Sequence, residues 1–210
     1  MAKMLKFNPP ACAHAAGNVL LVVAFFLSMT GCASVSQPAG ENPQVAAPVK
    51  SEDVDSSARA EFDAAMKLLD AGDYVKGIEL LNLLTQRVKN NTAPYINLAI
   101  AYQKTGDLPS AEENLKKALA INPDHPVANN EYGLVYRRTG RFAQAKAIYE
   151  KTLERSPSFL PARKNLAILC DLYMKDMECA LKNYQVYSQA FPNDKAVGIW
   201  IADLQKRLGR

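Results

Sequence analysis

The chain repeats itself at an interval of 34 residues, and that period limits its fold more than any other property. Ala99, Tyr102, Gly106, Ala111, Ala118 and Pro123 recur as Gly133, Tyr136, Gly140, Ala145, Thr152 and Pro157, each 34 positions later. A unit of this size is one supersecondary element that cannot bury its apolar face alone, so neighbours must stack and share a distributed core. Composition agrees. Ten Gly, 12 Pro and 4 Cys in 210 residues are too few for a low-complexity, collagen-like or disulfide-built chain, and 49% hydrophobic content is too much for a wholly disordered one.

The period and its residue types resemble the tetratricopeptide repeat. The resemblance implies an all-α fold: a right-handed α-solenoid of four helix hairpins at residues 58–91, 92–125, 126–159 and 160–194, closed by a capping helix at 195–210. The eighth position of each unit is small (Ala65, Ala99, Gly133, Ala167), as is the twentieth (Gly77, Ala111, Ala145, Ala180). Small residues there let the two helices of a hairpin approach closely. Larger ones at the seventh position (Ala64, Leu98, Tyr132, Leu166) and the twenty-fourth (Leu81, Leu115, Tyr149, Tyr184) fill the surrounding space. Pro123, Pro157 and Pro192 stop the second helices. The first unit departs from the pattern with Lys89 in place of this proline, and the fourth carries one extra residue in its turn, Met174 to Met177. In the last segment Val197, Trp200, Ile201, Leu204 and Leu208 share one helical stripe, as expected of a cap shielding the final repeat. Trp200 reads as a packed residue of that cap, with partner binding as the alternative.

The N-terminus has a different character. Residues 1–31 hold Lys3 and Lys6, no acidic residue, and an apolar run from Val19 to Met29. Eleven helical residues span about 16 Å against about 30 Å of bilayer hydrocarbon, so the run reads as a signal-peptide core. Met29-Thr30-Gly31-Cys32 resembles the lipobox of bacterial lipoproteins, although Met29 stands where Leu is commoner. That resemblance implies diacylglycerol attachment at Cys32, whose thiolate is the nucleophile, and cleavage before it. The alternative is an ordinary secretory signal cut near Ala33, or a plain anchor. With no Asp two places after the cleavage point, resemblance to enterobacterial sorting implies the outer membrane, facing the periplasm. Residues 32–57, rich in Ser, Pro, Gln and Ala, read as the lipidated Cys and a flexible tether. Its mean reach is about 25–30 Å. Loss of Lys3 and Lys6 lowers the formal charge from +4 to +2, so nothing global argues for nucleic-acid binding.

No phosphate-binding, dinucleotide-binding, zinc-protease or nucleophile-elbow motif occurs, and no metal or cofactor is implied. Beyond residue 31 the one histidine, His125, lies between Pro123 and Pro126 and reads as a solvent-exposed loop residue. An enzyme is therefore not expected. Cys170 and Cys179 fall on opposed helices of the fourth hairpin. An oxidising compartment would allow them to bond; otherwise Cys170 is a buried filler and Cys179 a free thiol.

In the tetratricopeptide family the first helices line a concave groove. Carried over by position, the groove here includes Phe62, Ile96, Met66, Ile100, Leu134 and Ile168 as an apolar floor, with Lys104, Arg137 and Arg138 as a basic edge. The Asn needed by family members that clamp a C-terminal carboxylate is absent. A floor of this kind suits an extended peptide or amphipathic helix with apolar anchors and some acidic residues, unless the chain's own helices or tether cover it. An acylated Cys, a Pro-rich tether and a short array together resemble the lipoproteins of type IV and tight-adherence pilus biogenesis, which assist secretins. The expectation is thus a non-enzymatic scaffold with a protein partner and a lipid anchor, its oligomeric state open. An adaptor for a peptidoglycan-active enzyme or periplasmic protease is the alternative.

Overall fold

A computed structural model describes residues 51–210, with side chains described from residue 56. Cys32, the signal segment and residues 32–50 of the tether lie outside the described residues. The described chain is all helical: α1 (Ser51–Asp70), α2 (Tyr74–Arg87), α3 (Thr92–Thr105), α4 (Leu108–Ile121), α5 (Pro126–Arg138), α6 (Phe142–Arg155), α7 (Leu160–Leu169), α8 (Met177–Ala190) and α9 (Lys195–Arg207). Each helix packs on the next, giving four hairpins and a final helix on α8.

The small eighth and twentieth positions do what close helix approach requires. Ala65, Ala99, Ala111, Ala145, Ala167 and Ala180 are all fully buried, and Leu81, Leu115, Tyr149 and Tyr184 fill the space beside them. Burying one such leucine is worth about 2–3 kcal/mol. Three apolar clusters form in series along the array, sharing rims through Tyr102 and Tyr136. This distributed core is what a stack of hairpins must build.

Helix boundaries follow local chemistry. Glycines in the left-handed region end α1, α3 and α5, at Gly72 (φ 85°), Gly106 (φ 88°) and Gly140 (φ 76°). Asp73 and Asp107 then cap α2 and α4 by accepting the backbone N–H of Lys76 and Ser110, at 3.3 and 3.1 Å. Arg141 replaces the acidic cap before α6. Its guanidinium instead pairs with Glu112 and lies 4.4 Å from the centroid of Tyr136. That hydrogen bond to Arg141 is the main cause holding the Glu112 carboxyl down at about 2. A depressed carboxyl contributes stability at neutral pH, which is lost as pH falls from the ordinary carboxyl range toward 2.

The extra residue of the fourth unit is absorbed inside the helix, not in the turn where the sequence placed it. Cys170–Met174 form a π-helical turn continuing α7, and the Asp176 N–H closes it on the Cys170 carbonyl at 2.9 Å. Lys175 takes the left-handed position (φ 56°) held by glycine in the other three hairpins. Because a Cβ is strained there, Lys175→Gly is expected to stabilise the chain by about 0.5–1 kcal/mol. Equilibrium urea unfolding checks the value.

The tether boundary also shifts. Residues 51–57 were expected to be tether but belong to α1. Ala58 and Phe62 dock in the first core cluster, and a helix nucleated there extends backward through residues with no Pro or Gly after Pro48.

Candidate functional site: the inner face of the array

Contacts between alternate helices give the sense of the curve. Besides its hairpin partner, α5 touches both α3 and α7, and no comparably extensive contact joins alternate second helices. The first helices therefore lie on the inner, concave side.

The ninth positions fall on this face. Met66, Leu134 and Ile168 are half-buried, while Ile100 is only 2% exposed. Ile100 and Ile96 belong to the core cluster with Ala111, Leu115, Tyr132 and Val135. Phe62 belongs to the cluster of the first hairpin, with Leu69, Leu81 and Leu84. These three are therefore core, not an open floor, because α3 has neighbours on both sides and α1 packs on α2. Lys164, at the fifth position of the fourth unit, is drawn toward the cap. Its Nζ pairs with Asp194 at 2.8 Å and lies 4.8 Å from the centroid of Tyr187. Trp200, half-buried, packs on Tyr184 with centroids 5.4 Å apart.

The expected basic edge is narrower than three residues. Lys104 and Arg138 are exposed, and Arg138 Nη1 donates to the Gln103 carbonyl at 2.8 Å. Arg137 turns inward: its guanidinium carbon is 5.8 Å from the Tyr173 centroid, and its Nη1 is buried. It is half-buried, so the exposed cations of the edge are Lys104 and Arg138.

The middle of the inner face carries a polar belt that position-by-position transfer missed. Gln103 Nε2 donates to Glu131 Oε2 at 3.0 Å, Asn130 Nδ2 to Glu131 Oε1 at 3.1 Å, and Asn165 Nδ2 to Asn130 Oδ1 at 2.9 Å. The belt crosses α3, α5 and α7. Burial pushes the Glu131 carboxyl up, opposed by the Gln103 and Asn130 hydrogen bonds. A sequence signal existed: the sixth position of every unit is polar, as Asp63, Asn97, Glu131 and Asn165. Gln103 Oε1 is buried without a partner, and the belt links three helices by hydrogen bonds but sets no nucleophile beside a base.

His125 is not the exposed loop residue expected. It is half-buried, its Nδ1 accepts the Ala128 N–H at 3.4 Å as the cap of α5, and burial lowers its pKa. Cys170 and Cys179 are joined in a disulfide with Cα atoms 5.9 Å apart. Potential metal-ligand atoms of Cys170, Asp176 and Cys179 lie within 4.8 Å of one another. With both sulfurs bonded, no thiolate remains to hold an ion. The disulfide instead braces the π-turn, whose side chains Leu172 and Tyr173 are 66% and 46% exposed. Tyr173 meets Phe142 at 4.9 Å and Arg137 on the inner side, so an apolar tip ends this part of the groove. Among the described residues, no helix is long and apolar enough to cross a membrane.

Comparisons with known proteins agree with this architecture. A tetratricopeptide repeat family profile matches residues 88–158. A probable UDP-N-acetylglucosamine–peptide N-acetylglucosaminyltransferase, SPINDLY of Solanum lycopersicum, is 35% identical over 72 residues, which are 34% of this chain and 8% of that protein. The chain thus spans less than a tenth of that relative. Among solved structures, PilF of Pseudomonas aeruginosa superimposes with a TM-score of 0.67 at 20% identity, covering 74% of this chain and 70% of that one. MamA from Desulfovibrio magneticus RS-1 does so with a TM-score of 0.63 at 19% identity, covering 72% and 85%. Arrays of this repeat are generally non-enzymatic scaffolds that bind other proteins. The described chain is an all-α solenoid of tetratricopeptide-type hairpins with a final packed helix.

Proposed function

We propose that this chain is a lipid-anchored scaffold of a bacterial envelope, tethered through Cys32 to the outer membrane and holding a protein partner on its inner face. The observation that carries the binding reading is the inner face itself. Half-buried Met66, Leu134 and Ile168 flank a hydrogen-bonding belt, with exposed Lys104 and Arg138 at its edge and the Leu172–Tyr173 tip at one end. Apolar anchors beside exposed cations suit an amphipathic or extended segment bearing acidic residues. The lipid anchor rests on Met29-Thr30-Gly31-Cys32 alone. The order of lipobox, Pro-rich tether and short repeat array, which resembles pilus-biogenesis lipoproteins, supports a role in assembling a pilus or secretin machine, and the adaptor for a peptidoglycan-active enzyme or periplasmic protease is the second reading.

Metabolic labelling with palmitate and gels of envelope fractions test the proposal together. The wild-type chain is expected to take up label and Cys32→Ser to take up none. Deletion of the gene is expected to remove most heat-resistant secretin multimers while leaving secretin monomer in the envelope. Label persisting on Cys32→Ser would refute the anchor, and unchanged multimers would refute the secretin role.

A further inference from the structure

The outer face of α9 repeats the pattern of a first helix, and among the described residues no second helix covers it. Counted from Lys195, Ala202 occupies the eighth position, equivalent to Ala65, Ala99, Gly133 and Ala167. Those four are buried within their hairpins, whereas Ala202 is exposed and, among the described residues, nothing packs over it. Beside it Ile199 is 68% exposed, a large apolar side chain facing water near the middle of the helix. The opposite face, with Val197 and Leu204, is buried against α8. The helix therefore has two apolar sides, of which only one is covered among the described residues.

The charges around Ile199 select the occupant. Lys195 stands four residues before it and Asp203 four after, both exposed, and Ala196 and Ala202 stand three to either side. In an antiparallel pair of α9 helices with Ile199 on the two-fold axis, Lys195 of each copy comes level with Asp203 of the other, and Ala196 with Ala202. Small residues at that level let the helices approach, as Ala99 and Ala111 do within a hairpin. Lys195 has no ion-pair partner among the described residues. Among the described residues Asp203 is bonded only to Arg207, at 3.1 Å, and its side chain is 59% exposed. Sliding the pair one helical turn toward the C-termini would set Lys206 against Lys195 of the other copy, and sliding it the other way would part Lys195 from Asp203. The charges thus pair with each other in this register.

From this we infer that α9 is a self-association surface, through which two copies of the chain join symmetrically end to end. A 13-residue helix is about 20 Å long, so the pair buries less than a permanent interface does, and the dimer exchanges readily. The inference stands apart from the inner-face reading, since α9 can pair whether or not a partner occupies the groove.

Sedimentation velocity of the full chain in mild non-ionic detergent, over a wide concentration range, tests this. The wild-type chain is expected to move from monomer toward dimer as concentration rises. Ile199→Glu should weaken association at least about tenfold, with an unchanged helical circular dichroism spectrum. Asp203→Lys should weaken it as well, by setting like charges opposite Lys195, and adding Lys195→Asp should restore it. A chain that stays monomeric throughout would overturn the inference. So would association indifferent to Ile199→Glu, or a charge swap that fails to restore what the single substitution removed.

Discussion

Gly133→Leu is expected to unfold the third hairpin, and Gly133→Ala to cost about 2 kcal/mol despite the better helix propensity of alanine. The reason lies in the partner residue. A Cβ built on Gly133 would sit 2.4 Å from Tyr149 Cε1 and 2.6 Å from Cζ, inside contact distance of a ring that is itself fully buried. The second hairpin solves the same packing differently, with Ala99 against Leu115. The third exchanges a methyl at the eighth position for a larger ring at the twenty-fourth. If the two sites share one volume, Gly133→Ala combined with Tyr149→Leu should recover much of the loss, because it rebuilds the Ala and Leu pairing. A double-mutant cycle by urea unfolding should return a coupling above about 1 kcal/mol. Additive costs would show that Gly133 is small for some other reason.

The second large effect concerns the fourth hairpin. Replacing both Cys170 and Cys179 with alanine is expected to cost about 2–3 kcal/mol, the usual worth of a cross-link closing a short loop. The loss should be local. Each unit contacts mainly its neighbours, so amide exchange should quicken in α7, α8 and α9 while α3 and α4 keep their protection. Slack here also frees the Leu172–Tyr173 tip, which the disulfide and the π-turn hold out toward solvent. Uniform loss of protection across all helices would mean the array unfolds as one unit.

The residues that were legible in the sequence are those constrained by the repeat. Ala99 and Ala111 recur as Gly133 and Ala145 because every hairpin needs the same close approach, and such positions announce themselves by repetition. What escaped notice breaks the repeat or depends on neighbours. Ile96 and Ile100 occupy groove positions by number but are claimed by the core between α3, α4 and α5, a matter of local packing that a single unit cannot reveal. Arg137 looks like a surface cation, yet Tyr173 and a buried setting draw it inward. The inserted residue was visible as an extra count, but whether a turn or a helix absorbs it is decided by the backbone, and the π-turn at Cys170–Met174 absorbs it. Two members of the belt, Glu131 and Asn165, stand at the polar sixth position of their units, whereas Asn130 and Gln103 stand at the fifth and twelfth, where polar residues do not recur in every unit.

On the reading proposed above, the inner face of the array, not the outer one, holds a protein partner. Site-specific photocrosslinking in intact cells tests it most directly, with the photoreactive residue placed at Leu134, at Ile168, or at exposed Glu113 on the outer helix α4. Leu134 and Ile168 are expected to yield the same discrete adduct, and Glu113 none. An adduct from Glu113 with none from Leu134 or Ile168 would contradict that reading.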